Sequence, residues 1–468
     1  MTEPAKRGPP YEEPLIAEED SHELNGDEPH DIYETKHEDM PIITEGDDDV
    51  HSPAMANVEG HASMTSTTIN MMCNVIGGGV LALPTAFHHS SLVVGIVLLF
   101  LVAGITTSNL YFIVQCAHHT RIYSYRLLLI FGLGRIPAKL VDIALFIFPF
   151  GALVAYCAVV ADAMPPVMAN FIGASGFWLN PICWLIIGGV LFFLLSCRRS
   201  LNELKITSIF GLLTIFYLVI LVVVRFFDGR YGAFHKPAEV SEDFRAIYLN
   251  SNILRTIPLI AFAFSVHNNA PTYYEELQDR TPEKMMTVIK VSHAGIITTY
   301  LLMAIFGLLT FGDSITLADG DILKRYSEDD TLINTARICM FVHFACVYPI
   351  LQMAARRGFN NLVFKTNSLP LWQLCVESFF IVVASALIAG AVPNIDVVLS
   401  INGALFGSII VMIAPSVLYL RVDPFNVAAR GGWLVSRGIA WVSVVTGFVV
   451  GTIGVTVTII DVVKHGGN

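Results

Sequence analysis

The stretch Thr65-Ser-Thr-Thr-Ile-Asn70-Met-Met-Cys73-Asn74-Val75-Ile-Gly77-Gly78-Gly79-Val-Leu-Ala-Leu-Pro84 decides how the chain is read. It is apolar enough to cross a membrane, yet three consecutive glycines interrupt it. Each glycine costs ~1 kcal/mol of helix propensity, and Pro84 removes a further backbone donor. In lipid an unsatisfied backbone group is expensive, so such a break must face protein, water or a ligand. Glycines also let a ligand touch the backbone, and the N–H groups opening the following half-helix suit a carboxylate.

A second stretch has the same character: Leu259-Ile-Ala-Phe-Ala-Phe264-Ser265-Val-His267-Asn268-Asn269-Ala-Pro271-Thr-Tyr-Tyr-Glu275-Glu-Leu277. Its apolar part is short and runs into His, two Asn and Pro. Carbonyls freed at such a break accept hydrogen bonds from an ammonium group. Two broken helices at corresponding places in two halves point to a substrate site near the membrane midplane. The halves share no direct sequence similarity.

Around these stretches the chain reads as an all-α membrane protein. Of its 468 residues 54% are hydrophobic and 14% charged, with a mean hydropathy of +0.62. A soluble domain needs more charge on its surface. Crossing the ~30 Å hydrocarbon layer takes ~20 apolar residues. Eleven segments qualify: 65–87, 92–116, 138–164, 178–197, 206–227, 253–269, 288–311, 332–353, 371–392, 397–420 and 434–463. A β-barrel would show short alternating strands instead.

The net charge of −11 belongs to one end. Residues 1–60 hold 18 Asp/Glu and 3 Lys/Arg, while the rest carries +4. This acidic, apolar-poor tail is expected to be disordered. It has no basic-then-apolar leader, so no cleaved signal peptide is expected. Loops after segments 2, 4, 6, 8 and 10 hold 16 Lys/Arg, among them Arg121, Arg126, Arg280 and Arg356, while those after segments 1, 3 and 9 hold none. Basic loops stay cytosolic, so the amino terminus is placed in the cytosol.

The eight cysteines show no CxxC spacing, which argues against a disulfide framework or zinc site. The chain carries no HExxH, GxSxG or P-loop, so an enzyme is not expected. No cofactor, metal or nucleic-acid partner is expected either. Ionisable residues inside the spans are Asp142, His267, His293, His343 and Glu377; such residues are costly and usually functional. Beside a helix break, His267 reads as a gating or substrate residue. His343 reads first as a hydrogen-bonded core histidine and second as a proton carrier. Asp142 and Glu377 read as interfacial, and His88 and His89 as an exposed, inert pair.

The pieces Asn74-Val-Ile-Gly-Gly-Gly-Val-Leu-Ala-Leu-Pro84-Thr-Ala-Phe87, Ala261-Phe-Ala-Phe-x-x-His267, Tyr274-Glu-Glu-Leu277, Arg280-Thr-Pro-Glu-Lys-Met285, Gly403-Ala-x-x-Gly407 and Pro415-x-x-Leu-Tyr419-Leu resemble the amino acid/auxin permease family over residues 62–463. The resemblance implies a LeuT-like fold of five plus five inverted helices with one added. This corresponds to repeat one at 65–227, repeat two at 253–420 and an extra helix at 434–463 within a transporter domain of 61–463. It implies amino acid transport by alternating access. The α-carboxylate would meet Asn74, Val75, Gly77, Gly78 and Gly79, and the amine Phe264, Ser265 and His267. Sodium-coupled relatives resemble one another in an Asn four residues before the first glycine and a hydroxyl residue before the proline of segment 8. Here those places hold Cys73 and the apolar Ala345 and Val347. Sodium prefers oxygen ligands, so the expected coupling is to protons or to no sodium, with Asn70, His343 and Tyr348 as candidate coupling residues. Alternatives are a sodium symporter, or a sensor signalling to cytosolic partners through the tail. The membrane is expected to be the plasma membrane or a vacuolar or lysosomal one.

Overall fold

The computed structural model describes residues 60–197, 204–231, 247, 253–364, 369–392, 394–422 and 433–465. The acidic tail, apart from Gly60, lies outside the described residues. Every apolar segment becomes helical. In chain order the helices are α1 Met64–Val75, α2 Gly79–Ser90, α3 Leu92–Thr120, α4 Tyr125–Leu133, α5 Arg135–Ile172, α6 Pro181–Ser196, α7 Leu204–Phe227, α8 Ile253–Ala263, α9 Ala270–Glu276, α10 Pro282–Phe311, α11 Thr331–Val363, α12 Leu371–Ala391, α13 Ile395–Asn402, α14 Ala414–Val422 and α15 Trp433–His465. Among the described residues, eight helical stretches are long and apolar enough to cross a membrane, and α1 with α2, bent by 60° at residues 76–78, make a ninth. Two of the eleven expected spans, α6 and the broken pair α8–α9, are shorter than that.

Two local features differ from the expectation. The loop after the second segment folds into α4. Ser124 starts it by accepting from Leu127 N at 3.5 Å, and Gly134 ends it at a φ of +86° that L side chains rarely adopt. Arg126 of α4 donates to both Asp142 oxygens at 3.1 Å, which gives this buried carboxylate a structural partner. The tenth segment holds a π-helical stretch, Gly403–Ile413, between α13 and α14. In this register Pro415 has no N–H for the carbonyl of Ile410. Tyr125 donates there instead at 2.9 Å, and Asn109 of α3 donates to the neighbouring Val411 carbonyl at 2.8 Å.

Packing centres on α5 and α11, which run along each other, with α1, α2 and α8 beside α10 and α3. At the far end from the start of α1, ionic contacts tie the elements together. Buried Arg255 of α8 pairs with buried Asp396 of α13. His89 of α2 reaches the same carboxylate at 3.4 Å, and His88 reaches Asp313 at 3.0 Å. The expectation that these two histidines are exposed is therefore corrected: both are largely covered, because α2 delivers them to carboxylates far away in sequence. A cap of short turns, residues 312–330, closes this end. The Asp319 carbonyl accepts from Ile395 N at 2.9 Å, and Lys324 pairs with Asp162 of α5 at 2.8 Å. At the opposite end the chain entering α1 forms one parallel β-bridge, Ala62 with Leu277, just past α9. Ala62 N donates to Glu276 O at 2.8 Å, and Gln278 N to Ala62 O at 2.9 Å.

Asp321 sits in the cap, 1% exposed, accepting from Leu323 N at 3.0 Å. Burial pushes its carboxyl up to about 6, against the pull of Lys324. The folded chain then holds this proton more tightly than the unfolded chain, so this stabilisation is present at low pH and lost as pH rises through about 6. Hydrogen exchange in residues 312–330, corrected for its intrinsic pH dependence, should therefore speed up between about pH 4 and about pH 6, by at most about tenfold per unit. Asp321→Asn should remove that dependence. An unchanged slope in the variant would show that another group is responsible.

Candidate substrate site

The two breaks are built alike. In α1 the helical bonds stop where Ile76 turns to ψ +88°, with its N–H on Met72 O at 2.8 Å. Gly77 N folds back onto Val75 O at 3.0 Å, and Val80 N and Leu81 N restart the helix on the carbonyls of Gly77 and Gly78, both at 3.2 Å. In the second break Ser265 N bonds Phe262 O at 3.1 Å, and a 3-10 turn at His267–Asn269 leads into α9. Pro271 fits in the first turn of α9 because no donor is needed there.

One side chain joins the breaks. The hydroxyl of buried Tyr300 on α10 lies 3.1 Å from Val75 O and 2.6 Å from Ala263 O, the last residues of α1 and α8. It has one proton for two carbonyls, so the pair keeps accepting capacity beyond what the tyrosine supplies. Both are helix C-terminal ends, where partial negative charge gathers. The glycine run is covered by Tyr156 of α5: side chains at Gly77 or Gly78 would run into its ring or hydroxyl. Tyr156 stacks on Phe344 of α11 with ring centroids 4.2 Å apart.

Beside this stack, on the side where α1 begins, lies a narrow, partly open cleft. It is lined by Asn74, Ser265, Asn268 and Asn269 from the two breaks, by Leu145, Phe148 and Pro149 of α5, by Ile350, Leu351 and Ala354 of α11, and by Ile410. None of these side chains is charged. Asn74 donates to the Tyr273 hydroxyl of α9 at 2.9 Å, and the buried hydroxyl of Ser265 has no hydrogen-bond partner among the described residues.

Of the eight residues expected to bind substrate, the structure places Asn74 and Ser265 on the cleft. Val75, Gly77, Gly78, Gly79, Phe264 and His267 are buried around it without lining it. Phe264 packs its ring between those of His293 and Tyr300, at 5.5 and 5.2 Å. The expected coupling residues separate. Asn70 is half-buried on α1, and Tyr348 is committed to α12 through Ser385 at 2.9 Å and to a stack on Phe192. His343 does reach the neighbourhood of α1: its Nδ1 lies 3.1 Å from the Gly211 carbonyl of α7, and a Cβ on Gly211 would lie 3.2 Å from both that nitrogen and Cys73 Sγ. Sequence reasoning passed over Tyr156, Tyr273 and Tyr300. The available signal was a tyrosine inside an apolar helix, whose hydroxyl must find a partner when buried.

The packing gives a test. Gly78→Ala puts a Cβ 2.9 Å from the Tyr156 ring, whereas Gly104→Ala on α3 meets nothing within 4 Å. The first should lower substrate transport by about tenfold or more at normal membrane abundance, since a ~1 Å misplacement at a site costs on that order. The second should leave transport unchanged. Equal activity in both would separate the glycine break from function.

A family model described as transmembrane amino acid transporter protein matches residues 60–460. Among curated relatives, "Putative sodium-coupled neutral amino acid transporter 11" of Danio rerio is 25% identical, over 78% of this chain and 80% of its own. "Amino acid transporter AVT6E" of Arabidopsis thaliana is 27% identical, over 82% and 81%. Among solved structures, the crystal structure of MhsT in complex with L-phenylalanine aligns with a TM-score of 0.51 at 13% identity, covering 84% of this chain and 99% of that one. At that identity the match establishes the LeuT-like fold.

Proposed function

Because the chain belongs to the transmembrane amino acid transporter family, we propose that it carries amino acids with uncharged side chains by proton-coupled alternating access. The supporting observation is the uncharged cleft where two broken helices meet. A zwitterion brings both of its own charges. Its ammonium suits the carbonyl ends of α1 and α8, and its carboxylate suits the asparagine amides and the N–H groups opening α2. The remaining wall is apolar, made by Leu145, Phe148, Ile350 and Leu351. A charged substrate side chain would lose its water there without gaining a partner.

The conformation is one-sided, which favours alternating access. The cleft opens toward the start of α1, while Arg255, Asp396 and His89 join α8, α13 and α2 at the other end. Parting those contacts while closing the cleft would present the same residues to the opposite face. The basic loops put the start of α1 in the cytosol, so this is the cytosol-facing state of a plasma membrane, vacuolar or lysosomal carrier. Proton coupling is favoured by the corner between α1, α7 and α11, where Cys73 and His343 offer sulfur and nitrogen. Sodium takes neither readily. A second reading, sodium symport, rests on the printed name of the zebrafish relative.

Purified protein in liposomes separates these readings. Labelled neutral amino acids should accumulate under an imposed pH gradient and not under a sodium gradient, while lysine and glutamate should compete weakly. Sodium-driven accumulation would replace the proton reading. No flux under any gradient or in counterflow would remove the carrier reading.

A further inference from the structure

His267 and His293 are 0% and 3% exposed, and hydrogen-bond logic fixes the hydrogen on each. His267 Nε2 lies 3.2 Å from the Thr106 carbonyl. A carbonyl only accepts, so Nε2 carries the hydrogen. His293 Nδ1 lies 3.1 Å from the Thr107 hydroxyl, which spends its own proton on Ala103 O at 2.7 Å. Thr107 therefore accepts, and Nδ1 of His293 carries the hydrogen. The other nitrogens, His267 Nδ1 and His293 Nε2, have no protein hydrogen-bond partner among the described residues. Each is a lone pair buried without a donor, and leaving a polar group so is normally avoided.

The rings belong to one neighbourhood. The two histidines hold adjacent residues of α3, Thr106 and Thr107, and Phe264 lies against His293, so both rings share one corner of the bundle. Around them α3 contributes the threonines, α10 contributes Tyr300 two turns on, and the link between α8 and α9 contributes Phe264. A charge placed on one ring therefore opposes a charge on the other, and the pair takes a single proton.

We propose that His267 and His293 form the binding site of the coupling proton, one proton per pair, whose occupancy sets the shape of residues 264–269. This rests on the proton-coupled reading above. In the state described, an added proton would sit on a nitrogen that lacks an acceptor, so this cleft-open state is the one that has released it. His267 lies between Ser265 and Asn268, both on the cleft. Supplying an acceptor for the new N–H must move this short link, and with it the polar side chains offered to substrate. Proton and substrate then bias the same element, which is what coupling requires.

The test uses full-length protein in liposomes, with labelled leucine as substrate. One proton per leucine sets a ceiling of about tenfold accumulation for a pH gradient of one unit. His293→Gln should lose gradient-driven accumulation, its inside-to-outside ratio falling to unity, with leucine counterflow measured in the same vesicles to separate lost coupling from lost transport. Accumulation equal to wild type in His293→Gln overturns the proposal and leaves proton coupling standing. Wild-type protein that exchanges leucine but ignores the pH gradient ends the proton reading, and this site with it. Should His293→Gln lose counterflow as well, Thr107→Val decides, because it keeps both rings and removes one acceptor. A shift of the pH midpoint for accumulation then supports the pair, and an unshifted midpoint overturns it.

Discussion

A helix that opens inside a bilayer exposes carbonyls that no water can satisfy, and the molecule is arranged around meeting that demand. The Tyr300 hydroxyl stands at the carbonyl ends of α1 and α8 together. It joins two elements that are remote in sequence, and it leaves them still able to accept. A fully satisfied break would be a kink of no further use. An unsatisfied break would not survive in hydrocarbon. The single hydroxyl between two carbonyls sits between these limits, and a passing ammonium group can take up the remainder.

The same reasoning applies wherever regular bonding fails. Pro415 denies the Ile410 carbonyl its partner in the π-helical register and Tyr125 supplies one, while Asn109, itself held by Ser416 and Ser443, donates to the Val411 carbonyl. The demand at α14 thus becomes a contact between α3, the tenth segment and α15. Buried charge follows a parallel rule, with Asp142 given Arg126 and Asp396 given Arg255. Among the described residues, His267, His293 and His343 depart from that rule together, each with only one ring nitrogen provided for.

What could be read from sequence divides along physical lines. Gly77–Gly79, Asn268, Asn269 and Pro271 announced both breaks because helix cost is local and each residue carries its own. The long apolar blocks announced the helices for the same reason. Partners were not legible. Asp313 and Asp396 lie 225 and 307 residues from the histidines they meet, and nothing near His88 or His89 hints at them. Nor was conformation legible. The glycines were expected to touch substrate directly, yet here the Tyr156–Phe344 stack lies over them and the polar lining falls to Asn74, Ser265, Asn268 and Asn269. Helix α4 was hidden because nine residues are too few to show a period.

The β-bridge at Ala62 and Leu277 ties the start of one broken helix to the end of the other. Two backbone hydrogen bonds make α1 and α9 a single lever, although the bridged residues are more than 200 positions apart. Gly60 is wedged against the Leu277 backbone, where any side chain would clash, so the chain enters the lever at a fixed point. Tension on the polypeptide ahead of that point is delivered to both half-helices at the mouth of the cleft. The contact at which the chain enters the first helix is thus also its handle.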